Sequence, residues 1–260
     1  MAEVLVFDSP ATAGSFIADH IVDAVRLNER FTLGVATGST PSPVYEALAA
    51  HAAKGFDFST MSAFALDEYV GLPLSHPQGY RSVIERSVTV PLGLDPARVH
   101  VPDGSEENIE TAGARYEEAL TAHGGVDLQL LGIGTTGHIG FNEPGSSFGS
   151  ITRVKTLTER TRADNARFFA SPDDVPIHCV TQGLGTILRA RHLVLLAFGE
   201  GKAAAIAAAV EGPVTASLPG SAVQLHPRVT VVLDEAAASE LRFRDYYQWA
   251  QDNKPAWQGI

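Results

Sequence analysis

The chain contains little cysteine and no long hydrophobic run. Its one cysteine, Cys179, excludes an intramolecular disulfide framework and a cysteine-based zinc site. No stretch reaches the roughly 18 apolar residues that a membrane-spanning helix requires. The first residues, MAEVLVFDSP, include the acids Glu3 and Asp8 and lack the basic start and apolar centre of a secretion signal. We therefore expect a cytoplasmic protein without membrane association.

Basic residues are also scarce, with 19 lysines and arginines against 30 acids and a net charge of −11. A nucleic-acid-binding surface needs a basic stripe, so this balance argues against nucleic acid as a partner. An acidic protein can still bind a small anion where a few cations and backbone N–H groups converge. No linker or shift in composition divides the chain, and residues 1–260 are long enough for one large core. We predict a single domain.

Short apolar runs alternate with amphipathic segments along the chain. The runs predict buried strands, and the segments between them predict helices. We predict strands at 4–7, 31–36, 61–66, 126–131, 192–198 and 229–233, and a β-prone basic segment at 152–157. We predict helices at 11–28, from 41 onward, and at 81–90, 103–124, 180–190, 202–210 and within 242–257. This alternation predicts an α/β fold, a Rossmann-like three-layer α/β/α sandwich with a mainly parallel sheet.

The most informative stretch is residues 131–144, LGIGTTGHIGFNEP, at the end of the fourth predicted strand. A glycine-rich turn at the carboxyl end of a parallel strand is where open α/β sheets bind ligands. His138 and Glu143 in this turn suggest a proton-transfer pair, since histidine gives and takes protons near neutral pH. The GxGxxG spacing does not predict a dinucleotide site, because Pro144 prevents the long helix that such a site needs.

The second predicted strand is followed by three residues suited to an anion. Gly38, Ser39 and Thr40 precede a helix, and such a turn is either an anion cradle or an ordinary strand–helix connection with a capping residue. Lys202, at the start of the alanine-rich helix, would add positive charge where backbone N–H groups already favour an anion.

Two acids, Asp67 and Glu68, directly follow the third predicted strand. At most one of them should face the cleft, because adjacent residues of an extended chain point in opposite directions. Together with the two turns above, the residues indicate an enzyme that acts on a phosphorylated ligand by acid/base chemistry.

Seven segments, in order along the chain, resemble the glucosamine/galactosamine-6-phosphate isomerase family, which includes glucosamine-6-phosphate deaminase. They cover most of the chain between residues 36 and 227. The segments are ATGSTP (36–41), LDEYVGL (66–72), GHIGFNEPG (137–145), TRVKTLT (152–158), NARFF (165–169), GKAAAIAAAVEG (201–212) and QLHP (224–227).

The resemblance implies hydrolytic conversion of glucosamine 6-phosphate into fructose 6-phosphate and ammonia. It implies that Asp67 is the base that moves a proton from C2 to C1, that His138 opens the pyranose ring, and that Glu143 orients His138. It also implies no metal and no organic cofactor. The resemblance assigns the phosphate to Gly38, Ser39, Thr40, Arg167 and Lys202.

One position departs from the family pattern. The residue before the Gly-His pair is usually Asp or Asn, and here it is Thr136. Threonine can hydrogen-bond, but it brings no carboxylate or amide to the histidine. We expect a less supported imidazolium and slower ring opening, with a lost hydrogen bond worth about 1 kcal/mol.

The resemblance also suggests regulation by an activator. Ser146, Arg153 and Lys155 match positions where some members bind the activator N-acetylglucosamine 6-phosphate between the subunits of a hexamer, whereas other members are unregulated monomers. A solvated basic strand explains Arg153 and Lys155 equally well. Monomer and homo-oligomer, including a hexamer, therefore stay open.

Other functions also remain open. A preference for galactosamine 6-phosphate is one, since the sequence does not settle the configuration at C4. A 6-phosphogluconolactonase would not need the acid at Asp67. A non-catalytic phosphosugar sensor of the kind fused to DNA-binding segments is disfavoured by the acidic balance.

Overall fold

A computed structural model describes residues 3–255 and 257–260 of the chain. The predictions that include Met1 and Ala2 (the N-terminal segment and the single domain) and Ala256 (the C-terminal helical segment) extend outside the described residues there. The strands are β1 Glu3–Phe7, β2 Thr32–Val35, β3 Ser62–Ala65, β4 Asp67–Tyr69, β5 Val99–His100, β6 Leu128–Gly132, β7 Arg153–Thr156, β8 His178–Thr181, β9 His192–Ala197 and β10 Val229–Asp234. The α-helices are α1 Pro10–Leu27, α2 Ser42–Ala53, α3 Tyr80–Ile84, α4 Val90–Leu92, α5 Ile109–Ala122, α6 Glu159–Asn165, α7 Leu184–Ile187, α8 Ala203–Glu211 and α9 Arg244–Asp252.

Seven strands form one parallel sheet in the order β1-β10-β9-β6-β2-β3-β5. All six residues of β9, HLVLLA, are buried, as expected for a strand covered on both faces. Leu195 packs in the core under α5 and α8, and its neighbour Leu196 packs in the core under α1 and α2. The predicted three-layer α/β/α sandwich with a mainly parallel sheet is confirmed.

The first helix shows how local sequence builds a layer of this sandwich. The Ser9 side chain accepts the Thr12 backbone N–H at 3.2 Å, and Pro10 occupies the first turn, where its missing N–H costs nothing. Ile17, Ile21 and Val25 then recur every fourth residue and form a buried stripe. The helix therefore begins where the sequence predicts and buries the face that the periodicity predicts.

A second, smaller sheet lies outside the sandwich. It is antiparallel, in the order β4-β8-β7, and includes the basic segment predicted to be β-prone. The prediction of a helix at 180–190 is wrong, because β8 ends at Thr181 and α7 spans only Leu184–Ile187. The β-branched Val180 and Thr181 suit a strand, and pairing with β4 and β7 on both sides satisfies its backbone.

Two other predicted helices differ in their bounds. The segment predicted at 81–90 belongs to a longer helical run in which α3 continues through a π-helical turn, Glu85–Thr89, into α4. The segment predicted at 103–124 begins with a 3-10 turn, Glu106–Asn108, before α5. Among the described helices, none is long and apolar enough to cross a membrane.

The two sheets meet at the carboxyl edge of the parallel one. One residue, Leu66, separates the end of β3 from the start of β4, so the chain leaves the parallel sheet and enters the antiparallel sheet at Asp67. The loops that follow β2, β6 and β9 begin at this same edge, since parallel strands all point one way. This edge is therefore where the predicted site residues can meet.

Candidate active site

A cavity of about 430 Å³ lies at the carboxyl edge of the parallel sheet. Seven of the predicted site residues line it: Gly38, Ser39, Thr40, Asp67, His138, Arg167 and Lys202. A larger cavity of about 600 Å³ lies beside β1, β10 and the C-terminal segment, and it contains none of the predicted site residues. The chemistry therefore points to the smaller cavity.

Asp67 is the buried acid of this cavity, with 5% of its surface exposed. Burial, together with the neighbouring charge of Glu68, raises the pKa of Asp67 to about 8. Hydrogen bonds from the Phe141 backbone N–H and the Thr181 hydroxyl oppose this rise because they favour the ionised carboxylate. Asp67 is thus poised to exchange a proton close to neutral pH.

Glu68 faces a different environment. Its carboxylate accepts the backbone N–H groups of Tyr69, Tyr80 and Arg81, each at 2.8 Å, and so holds the start of α3 against β4. Of the two adjacent acids, only Asp67 lines the cavity.

His138 sits between a hydroxyl and a carboxylate. Its Nδ1 lies 2.8 Å from the Thr136 Oγ1 and 3.8 Å from the Glu143 Oε2. The ring rests directly on Gly134, where a Cβ would come within 2.0 Å of its Cε1, so this position requires glycine. Burial lowers the pKa of His138, and the negative charge of Glu143 opposes the decrease. The resting imidazole is therefore neutral. Its Nδ1 is hydrogen-bonded to the Thr136 hydroxyl, and the ring lies at the cavity wall.

The contact with Thr136 corrects one expectation. The hydrogen bond to the imidazole that was expected to be lost is present, since the threonine hydroxyl provides it. What Thr136 does not provide is negative charge next to Nδ1. The difference from an aspartate at this place is electrostatic.

Glu143 is buried, and its two oxygens have unequal surroundings. Oε1 accepts the Thr158 hydroxyl at 3.1 Å. Oε2, the oxygen nearer His138, has no hydrogen-bond partner among the described residues. If His138 gains a proton, the negative charge of this unpaired oxygen stabilises the imidazolium.

The cavity wall also carries positive charge, at Arg167 and Lys202 (the cationic end), and open backbone at Gly38. Gly38 has a φ of +90°, a left-handed conformation that favours glycine, in the turn before α2. Lys202 precedes the first residue of α8, and burial together with the nearby Arg167 lowers the pKa of Lys202. The Arg167 guanidinium stacks on Phe168 at 4.7 Å from the ring centre. Two cations and a helix start are the groups that bind a phosphate dianion.

Several cavity residues were missed by reasoning from the sequence. Arg86 is a third lining cation, and its Nη2 donates to the Pro77 carbonyl at 2.9 Å. Tyr69 and Tyr80 form an aromatic wall with ring centres 4.8 Å apart, and Asn165 donates to the Tyr69 hydroxyl at 3.0 Å. The DEY and NARFF segments contained the signal for Tyr69 and Asn165, whereas nothing near Arg86 distinguished it from a surface arginine.

The three residues considered for regulation lie together but outside the cavity. Ser146 is buried and donates to the Glu143 carbonyl at 2.7 Å, and the Arg153 Nη2 donates to the Ser146 Oγ at 3.4 Å. Lys155 is two residues further along β7, on the same face as Arg153. Burial lowers the pKa of Arg153, which forms no ion pair with any described acid.

Comparison with known proteins gives a consistent family. Residues 8–232 match the family described as glucosamine-6-phosphate isomerases/6-phosphogluconolactonase. A protein of Pseudarthrobacter chlorophenolicus named glucosamine-6-phosphate deaminase is 57% identical over 99% of this chain and 100% of its own length. A protein of Rhodococcus opacus with the same name is also 57% identical, over 99% of this chain and 100% of its own length.

Solved structures agree with this result. A structure described as a monomeric glucosamine-6-phosphate deaminase is 38% identical, covers 92% of this chain and 99% of its own, and superposes with a TM-score of 0.89. The 6-phosphogluconolactonase of Leishmania guyanensis is 20% identical, covers 91% of this chain and 97% of its own, and has a TM-score of 0.72. At that identity the second likeness supports the fold alone.

Proposed function

The chain is an enzyme of the glucosamine-6-phosphate isomerase/6-phosphogluconolactonase family, and we propose that it converts glucosamine 6-phosphate into fructose 6-phosphate and ammonia. The observation that carries the proposal is the sharing of one cavity by a buried acid, Asp67, a held imidazole, His138, and two cations, Arg167 and Lys202. The relatives that are 57% identical over their full length bear the name of this activity, which supports the proposal.

The phosphate is proposed to bind at the cationic end. Lys202 contributes a point charge and Arg167 a planar fork of donors, and the turn at Gly38, Ser39 and Thr40 contributes backbone and hydroxyl donors. With the phosphate fixed there, Asp67 and His138 of the same cavity are available to the carbons of the sugar chain. Orientation of this kind lowers the barrier because the reacting groups meet without a further loss of freedom.

Ring opening is the proposed role of His138. Its neutral imidazole takes the proton of the anomeric hydroxyl and returns a proton to the ring oxygen, which breaks the bond between that oxygen and C1. The transient imidazolium lies beside the unpaired Oε2 of Glu143, while Thr136 holds Nδ1. The product of this step is the open-chain aldehyde.

Asp67 is proposed to move the proton between carbons. The carboxylate removes the proton from C2, giving an enolamine, and returns a proton to C1, giving an imine at C2. Water then adds to the imine and ammonia leaves, so fructose 6-phosphate is formed. The amino group of the substrate is cationic when protonated, and its charge favours the ionised form of a carboxyl whose pKa burial raises to about 8.

Ammonia release distinguishes this proposal from its alternatives. The purified chain is incubated separately with glucosamine 6-phosphate, galactosamine 6-phosphate and 6-phosphogluconolactone, with Asp67→Asn as the matched inactive variant. We expect ammonia from glucosamine 6-phosphate and at least tenfold less from the other amino sugar, since an inverted hydroxyl typically forfeits one hydrogen bond or more. Preference for galactosamine 6-phosphate, hydrolysis of the lactone alone, or binding without turnover would each reject the proposal in favour of the corresponding alternative.

We also propose an activator site at Ser146, Arg153 and Lys155. The supporting observation is the half-buried guanidinium of Arg153, which pairs with no acid in the described residues and lies beside a serine hydroxyl. N-Acetylglucosamine 6-phosphate at saturation is expected to lower the substrate concentration for half-maximal rate, and Arg153→Ala is expected to abolish the effect. A substrate curve that the compound leaves unchanged rejects the site.

The assembly and location of the enzyme are part of the same proposal. Regulation between subunits requires an oligomer, so light scattering should show a hexamer if the activator acts and a monomer if it does not. We place the reaction in the cytoplasm, since a chain whose one cysteine is buried and unpaired suits a reducing compartment.

A further inference from the structure

Strand β8 lies between β4, which contains the proposed base Asp67, and β7. In the antiparallel sheet, Thr181 is paired with Asp67 of β4 on one side and with Arg153 of β7 on the other. Residues paired across neighbouring strands project from the same face of a sheet, so these three side chains form one row. Thr181 occupies the middle of the row and is fully buried.

The Thr181 hydroxyl also reaches the loop that contains His138. It accepts the backbone N–H of Phe141 at 3.1 Å. A Cβ placed on Gly140 would lie 3.2 Å from the Thr181 Oγ1 and 3.5 Å from the Asp67 Oδ2. The hydroxyl, the carboxylate and the loop backbone therefore converge at one point.

The next residue extends the same connection. The Gln182 backbone N–H donates to the Leu66 carbonyl at 2.8 Å, and the Gln182 carbonyl accepts the Asn142 amide at 2.8 Å. The end of β8 is thus tied both to the chain just before Asp67 and to the loop just after His138.

From this geometry we propose that Thr181 is a positioning residue for the base Asp67. Its hydroxyl lies beside the Asp67 carboxylate and accepts the Phe141 N–H, and its single proton is shared between that carboxylate and the Gln182 carbonyl at 3.3 Å, so that it fixes the carboxylate relative to the loop that holds His138. The role rests on the proposed function, because it assumes that Asp67 acts as the base. Thr181 itself does not line the cavity.

The hydrogen bond has an electrostatic consequence. A donor to a carboxylate favours its ionised form, so removing the hydroxyl should raise the pKa of Asp67 further above its already raised value. The other titratable groups around Asp67 come from every neighbouring element. They are Glu68 and Tyr69 on β4, Tyr80 on α3, Tyr116 on α5, Cys179 on β8, Arg153 on β7, His138 in the loop, and the cavity cations Arg86, Arg167 and Lys202.

Most of these groups do not change charge in the relevant range. Burial raises the pKa of Tyr80, Tyr116 and Cys179, so they stay neutral near neutral pH. His138 is also ionisable, and burial lowers its pKa, so the experiment must identify Asp67 separately.

The test is the pH dependence of kcat/KM for the wild type, Thr181→Val and Thr181→Ser. Valine keeps the shape and removes the hydroxyl, whereas serine keeps the hydroxyl. We expect the acid limb of Thr181→Val to move upward by about one pH unit, with about a tenfold lower kcat near neutral pH and little change in KM. Thr181→Ser should keep the acid limb near that of the wild type. A purely structural role would alter thermal stability and leave the limb in place.

A second readout does not depend on turnover. The Asp67 carboxyl is titrated by ¹³C NMR in the absence of substrate, with Asp67→Asn identifying its signal, in the wild type, Thr181→Val and Thr181→Ala. Both variants should show an Asp67 pKa above that of the wild type, and alanine serves if valine disturbs the packing. An unchanged Asp67 pKa overturns the role of Thr181 whether or not the wild type releases ammonia. Absence of ammonia with a shifted pKa rejects the proposed function and leaves the Asp67–Thr181 contact standing.

Discussion

Asp67 and Glu68 are adjacent acids in different surroundings. Glu68 accepts three backbone N–H groups, from Tyr69, Tyr80 and Arg81, and so serves the fold. Asp67 faces the cavity, and burial raises the pKa of its carboxyl to about 8. A buried group with a raised pKa at a cavity wall is typical of acid/base sites, and it lowers the stability of the folded protein once it ionises.

The loss of stability caused by ionising Asp67 should appear in the pH dependence of unfolding. The pKa of Asp67 is raised from its ordinary 3.8 to about 8 on folding, so between those values the folded protein binds more protons than the unfolded one. The stabilisation is complete below the ordinary value and is lost as the pH rises through about 8. Thermal unfolding from about pH 5 to about pH 9 should show a falling Tm in the wild type and a smaller decrease in Asp67→Asn.

Asp8→Asn, which changes an exposed acid, serves as the control and should follow the wild type. Parallel curves for the wild type and Asp67→Asn would contradict an Asp67 that is protonated in the resting protein.

Thr136 gives a second prediction at this scale. Thr136→Asp places a carboxylate beside the His138 Nδ1, which favours the imidazolium and should raise the pKa of His138. We expect the steady-state rate on the cyclic substrate to rise about fivefold, the equivalent of about 1 kcal/mol. Thr136→Asn keeps a hydrogen-bonding side chain without the charge and should change the rate much less. An unchanged rate in Thr136→Asp would dismiss the role of charge at this position.

Among the elements, six of the seven parallel strands were predicted and the two-residue β5 was missed, whereas of the small sheet only β7 was predicted as β-prone. In HLVLLA, five apolar residues follow His192 without interruption, as expected for a parallel strand buried on both faces. Strands β4 and β8 contain three and four residues, too few for a periodic signal. Their pairing depends on residues more than 100 positions apart, so it follows from the tertiary fold and not from local sequence.

The difference between local and tertiary signals also explains which cavity residues could be predicted from the sequence. Gly38, Asp67 and His138 each follow a recognisable strand, and their place at the carboxyl edge follows from the parallel topology. Arg86 lines the cavity, and Thr181 lies beside Asp67. Both belong to segments whose type or bounds were predicted incorrectly. Knowledge of the antiparallel sheet would have put Thr181 opposite Asp67.

The elements that carry the two cations give a third prediction. Arg167 lies in a 3-10 turn after α6 and Lys202 in one before α8, and both line the cationic end of the cavity. Replacing either by alanine should raise KM about 10- to 100-fold, since each removes a charge-assisted contact to phosphate. Arg26→Ala, an exposed arginine on α1, is the control. Steady-state kinetics with an unchanged KM in both variants would place the phosphate elsewhere.

Over the whole molecule, one sheet separates two cores. Leu195 and Leu196 are consecutive in β9, fully buried, and point into opposite cores. Helices on both faces depend on the same strands for their packing, which supports the prediction that the chain is a single domain.

Unfolding of two matched variants tests this coupling. Leu195→Ala and Leu196→Ala should each lower the free energy of unfolding by about 2–5 kcal/mol. Because both cores share the sheet, calorimetry and circular dichroism should show one transition with the same midpoint in each variant. Separate melting of one face in either variant would indicate two independent units.

The proposed reaction depends most on Asp67 as the group that removes the proton from C2. Glucosamine 6-phosphate carrying deuterium at C2 tests this directly when the C2 position is followed by NMR. The wild type is expected to remove the deuterium from C2 as ammonia and fructose 6-phosphate form, and Asp67→Asn to slow that removal by about 10²- to 10⁴-fold while still binding the substrate. Loss of the label from C2 at the wild-type rate in Asp67→Asn would contradict the account.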